Sequence, residues 1–261
     1  MKVSFHLVEA RYWPIFTRIG IFFSILNLLI YTRGWNFYFF ITSQLCLIIT
    51  LRLWWRDVNR ESLIQGLHPL RTEEGLKKGF ILFIISEVIF FFRFFWGFFQ
   101  FSLAPTIELG SIWPPTHLLF LDSLGIPLLN TIILLSRGVL VTLRHHSILT
   151  LAHNSASLSL GIGLILGIIF TMLQANEYIN TRFSIIDSVL GTSFFVITGF
   201  HGLHVLIGRT FLLIILVRAI LQNLSPSHHA GFEIAAWYWH FVDVVWIFLF
   251  IFIYLWGSNL F

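Results

Sequence analysis

Seven stretches of this chain are each long and apolar enough to cross a lipid bilayer as a helix, and that leaves few folds open. The hydrocarbon core is about 30 Å thick, and a helix rising 1.5 Å per residue needs about 20 apolar residues to span it. Stretches at 13–31, 37–55, 78–101, 126–143, 155–178, 188–221 and 232–256 meet that condition. Hydrophobic residues make up 57% of the 261 and charged residues 11%, against roughly 45–50% and about 25% in soluble domains. A soluble core cannot absorb that excess, so the fold class is all-α integral membrane. Cys46, the single cysteine, lies within an apolar stretch, so no disulfide or cysteine-metal framework is available. Its thiol is expected to be a small buried apolar group. The net charge of +4 does not point to nucleic acid, because the basic residues flank apolar stretches as topology signals do. The N-terminus shows no cleavable secretory or transit pattern.

The connecting segments differ in charge. Lys2, Arg11, Arg56, Arg60, Arg71, Lys77, Lys78, Arg144 and Arg218 fall on one set of connections, whereas the opposite set carries mainly Arg33 and Arg182. The positive-inside rule then places the N-terminus inside and, after seven spans, the C-terminus outside. The 102–125 segment has no Lys or Arg and contains Pro105, Pro114 and Pro115. It reads as an ordered outer loop.

Three polar constellations stand out against this background. Trp54-Trp55-Arg56-Asp57, Arg60-Glu61 and His68 mark the inner end of the second span. They suit either lipid phosphates or a generic interfacial anchor with internal ion pairs. Glu87 is the only acidic residue within the third span. A carboxyl at that depth favours its neutral form unless paired, so it reads as a proton-holding group or as a hydrogen-bonded structural acid. His201 and His204 lie three apart on one span, as do His240 and Asp243 on the last. They suit either a haem or metal held between helices, or interhelical hydrogen bonds that draw in Glu233, Asp243 or backbone carbonyls. His145-His146 and His228-His229 read as ordinary solvent-facing pairs in inner loops. No phosphate-binding loop, nucleophile elbow or His-Glu-x-x-His motif occurs.

Taken in order, the strings around Trp54-Trp55-Arg56-Asp57-Val58, Ile84-Ile85-Ser86-Glu87-Val88, Trp113-Pro114-Pro115, Pro127-Leu128-Leu129-Asn130-Thr131, Gly199-Phe200-His201-Gly202-Leu203-His204 and Ala236-Trp237-Tyr238-Trp239-His240-Phe241-Val242-Asp243 resemble subunit III of mitochondrial-type cytochrome c oxidase. The resemblance runs from about residue 5 to 258. It implies a two-plus-five helix bundle, with the smaller group at 1–70 and the larger at 71–261, around a V-shaped lipid-filled cleft. It also implies a non-catalytic core subunit of the proton-pumping oxidase in the mitochondrial inner membrane. The N-terminus would lie in the matrix and the C-terminus in the intermembrane space. Haems and coppers would belong to partner subunits, with none in this chain, so His201, His204, Glu233, His240 and Asp243 become a structural polar network. Phospholipids, with cardiolipin a candidate, would meet Trp54, Trp55, Arg60, Glu61, His68 and Arg218. Glu87 would match the family's carbodiimide-reactive, proton-associated carboxyl. Subunit I is the implied main partner, alongside subunit II and accessory subunits, with no nucleic acid.

The chain departs from the family pattern at Arg11, Arg18, Arg93, Arg137 and Arg209, where small residues, often Ser, are usual. One reading is AGA or AGG codons that many invertebrate mitochondria translate as Ser; the other is true Arg with partners such as Glu87. Leu221 and Asn223 also stand where basic or His groups are frequent. Two other classes remain. A secondary transporter would show inverted repeats, and none is visible; a bis-histidine cytochrome would use His201 or His204 with His240.

Overall fold

Helix starts are set by residues that suit them. Pro14 and Pro127 stand near the first positions of their helices, where a missing N–H costs nothing. Asn36 accepts a hydrogen bond from the Tyr38 N–H at 3.2 Å, and the Ser188 hydroxyl accepts one from Gly191 N–H at 3.1 Å. Each side chain thereby satisfies an N–H that the first turn leaves open. Gly34, at φ +87°, supplies the left-handed turn after the first helix.

The computed structural model describes residues 6, 8–34, 36–107, 110–115, 121–150, 153–221, 223–224 and 229–257, with side chains at all of these except 63, 149 and 153–157. It contains α1 Trp13–Thr32, α2 Phe37–Leu63, α3 Leu70–Leu103, α4 Ile126–Leu149, α5 His153–Asn180, α6 Val189–Ile220 and α7 Ala230–Leu249, the last continuing into a π-helical turn, Phe250–Leu255. All seven helices are long and apolar enough to cross a membrane, and no strand occurs among the described residues. The described part of 104–125 forms no α-helix and contains a cis Trp113–Pro114 peptide bond.

Three helices outrun their apolar stretches. The second continues through Arg56, Asp57, Arg60 and Glu61, the third begins before Lys77 and Lys78, and the fourth carries His145 and His146. Hydropathy marks where a helix meets lipid, whereas charged residues propagate the backbone ladder beyond it almost as well as alanine does. His145 and His146 therefore lie on a helix rather than in a loop. Cys46 is a second correction, because its thiol is exposed on α2. A membrane helix can meet apolar surroundings outside the protein, so an apolar neighbourhood in sequence does not imply burial within it.

The chain forms two compact units, 1–76 and 77–261. In the first, α1 and α2 pair side by side. The Trp13 indole donates to Asp57 at 2.8 Å, Arg11 pairs with Glu61, and the Asn27 amide donates to Phe39 O at 3.1 Å. Only 6% of either span is buried. In the second unit α7 is central, with 56% of its span buried against 28% for α4, α5 and α6. Its Tyr238, Trp239 and Trp246 are enclosed, and Gly208 of α6 lets the Trp239 ring approach closely. Part of α3 joins this core ring against ring, through Phe91 with Phe241 and through Phe95 and Phe99 with Phe252.

Candidate functional site

Glu87 on α3 meets His204 on α6, with Oε2 3.0 Å from Nε2. The other imidazole nitrogen, Nδ1, lies 2.7 Å from the Phe200 carbonyl one turn earlier. A carbonyl can only accept, so Nδ1 carries the hydrogen and Nε2 faces the carboxyl. A 3.0 Å contact between Nε2 and a carboxyl oxygen needs one hydrogen between them, given by either side. Phe90, Phe91, Tyr238 and Phe241 surround the imidazole. These rings pack the imidazole in place against the Glu87 carboxyl. Glu87 therefore pairs with a histidine rather than with Arg93, which is exposed.

The other expected residues fall into separate groups. His240 Nδ1 lies 3.7 Å from Asp243 Oδ2 on α7. Asp243 is buried and packs on Gly138, where an added Cβ would lie 2.8 Å from Oδ2. His201 is 1% exposed and neither ring nitrogen has a hydrogen-bond partner. Glu233 pairs with Lys77 and with His229, whose Nε2 lies 3.2 Å from Oε1. Trp55 and Arg60 are exposed, Trp54 is half-buried, and Arg218 has a buried Nε without a partner. The Glu61 hydrogen bond holds the Arg11 guanidinium above its usual range, while burial lowers His68, whose ring centre lies 5.2 Å from that of His6. His228, Glu108 and the 116–120 segment lie outside the described residues.

One buried network escaped the sequence reading. Tyr254, in the π-helical turn, donates to Glu177 Oε1 at 2.6 Å. The Gln174 amide donates to the Tyr254 oxygen at 3.3 Å and accepts from Asn130 at the same distance. Glu177 is 2% exposed. The available signal was a carboxyl one turn after Gln174 near the end of an apolar stretch. Its burial depends on a partner 77 residues away.

A profile of the family described as "Cytochrome c oxidase subunit III" matches residues 3–258. The cytochrome c oxidase subunit 3 of Drosophila melanogaster is 50% identical over 254 residues, covering 97% of each chain. That of Heterololigo bleekeri is 49% identical over 258 residues, covering 99% of this chain and all of its own. That of Paracentrotus lividus is 52% identical over 254, again 97% of each. The chain belongs to the cytochrome c oxidase subunit III family. As a subunit III it is a membrane-embedded component of an oxidoreductase complex.

Proposed function

We propose that this subunit III is a non-catalytic core subunit of the proton-pumping oxidase in the mitochondrial inner membrane, with its N-terminus in the matrix and its C-terminus in the intermembrane space. It packs chiefly against subunit I, near subunit II and accessory subunits that complete the enzyme, and the haems and coppers reside in those partners. Phospholipids are held at Trp54, Trp55, Arg60, Glu61 and His68 and, separately, at Arg218. The chain's contribution is to stabilise subunit I and to keep proton uptake fast while electrons pass from cytochrome c to oxygen.

The observation that carries this reading is the Glu87–His204 contact, a carboxyl held against an imidazole within a membrane-spanning bundle, since intramembrane acids are rarely idle. The test is the assembled oxidase carrying Glu87→Gln, with Glu87→Asp alongside. The glutamine variant keeps a hydrogen bond to His204 but cannot take up or release the proton. We expect proton uptake to slow severalfold and turnover to decay sooner with Gln, and to recover partly with Asp. Unchanged uptake and equally durable turnover in the Gln variant would overturn the role given to Glu87.

A further inference from the structure

Where α4 and α7 meet, the chain gathers His145, His229 and Glu233. One ligand atom from each lies within 4.8 Å of the other two. His145 comes from the last turns of α4, His229 stands immediately before α7, and Glu233 occupies the first turn of α7. The His145 and His229 ring centres are 5.6 Å apart, and His229 Nε2 is 3.2 Å from Glu233 Oε1. On a tetrahedral zinc with bonds of about 2.0–2.2 Å, neighbouring ligand atoms stand roughly 3.3–3.5 Å apart. The His229–Glu233 edge therefore already stands close to the required width, and the remaining edges are within 4.8 Å. Lys77 holds the other carboxylate oxygen, Oε2. That leaves Oε1 facing the His229 imidazole.

From this geometry we infer that His145, His229 and Glu233 form an exchangeable site for a divalent cation of the zinc class. Two imidazoles and one carboxylate suit zinc and its borderline neighbours rather than calcium or magnesium, which take oxygen ligands. Three protein ligands leave a fourth position for water. The surroundings set the strength. Lys77 touches the carboxylate, Arg144 adjoins His145 in sequence, and Arg218 reaches to 2.9 Å from where a Gly231 Cβ would stand. The Lys77 ammonium in contact with the carboxylate weakens its hold on a second cation, so the site exchanges its metal rather than keeping it permanently. A second group, His6, Glu61 and His68, has similar spacing and likewise carries a cation, Arg11, on its carboxylate, but its His6 Nε2 stands 3.8 Å from Glu61 Oε2, wider than a tetrahedral edge.

The test uses the complex purified through a tag on this chain, stripped with a chelator and titrated with zinc against a chromophoric competitor. Complexes carrying His145→Gln, His229→Gln or Glu233→Gln are compared with the wild type. We expect the wild type to take up one more exchangeable zinc than each variant, or each variant to bind that zinc at least about 10- to 100-fold more weakly, at or above the loss seen when a supporting residue is removed. Equal stoichiometry and affinity in all four complexes would overturn the site. Should a variant fail to assemble, the wild-type complex answers by itself. Zinc should protect His145 and His229 together from diethylpyrocarbonate, read by peptide mass. Equal modification with and without zinc would refute the inference.

Discussion

The guanidinium of Arg137 sits 3.7 Å from the centre of the Trp239 ring, 1% exposed, with Nε, Nη1 and Nη2 all lacking hydrogen-bond partners. It also crowds Gly167, where an added Cβ would lie 2.8 Å from Nη1. A desolvated cation–π contact is worth about 2 kcal/mol, short of the several kcal/mol that burying an unpaired ion costs. A small residue at this position would remove the conflict, as the Ser translation of an AGA or AGG codon would. The expected outcome is that trypsin leaves the unfolded, purified chain uncut after residue 137. Cleavage there would establish a true Arg, with Asp243 as the nearby countercharge. The same argument does not extend to Arg11, which pairs with Glu61. Glu87 stood out in the sequence because no other acid shares its span. Glu177, at a span edge, did not, because its partner Tyr254 is distant in sequence and is presented by a π-helical turn that no local pattern marked.

Among the elements, the existence and order of all seven helices were legible, since about 20 apolar residues have one well-satisfied conformation in lipid. Their true ends were not, because the backbone ladder of α2, α3 and α4 continues into water after the apolar signal stops. Helix pairing was hidden as well. It depends on close approaches such as that of α6 to α7, where a Cβ added to Gly208 would lie 3.0 Å from Trp239. Gly208→Leu should therefore destabilise the subunit by about 1–3 kcal/mol, the usual cost of overpacking a tight contact. Gly199→Ala, with no neighbouring atom within 4 Å, should be nearly neutral. Thermal dissociation of the assembled complex, followed for both variants, checks the contrast.

On the scale of the whole molecule, the asymmetry of basic residues led to an orientation, and the ordered motifs led to a family that the profile match establishes. The sites were less legible. The sequence suggested histidines acting between helices but not their partners, and the structure joins Glu87 to His204 and brings the His145 ring beside that of His229. Such pairings depend on helix rotation, which an almost uniformly apolar surface does not encode. If the chain's role is durability and proton supply, an oxidase stripped of it should keep slow oxygen reduction that declines during turnover. Undiminished pumping over many turnovers would contradict that role.

The central position of α7 also has a meaning in time. This helix emerges from the ribosome after the other six, yet it supplies the most enclosed surface of its unit and the partners for Thr131 and Glu177. Until it arrives, α4, α5 and α6 wait in the bilayer with those polar groups turned toward a place still empty. Biogenesis thus passes through a half-built intermediate that needs shielding, and a chain cut short before residue 230 should be recognised as unfinished rather than tolerated as merely shorter.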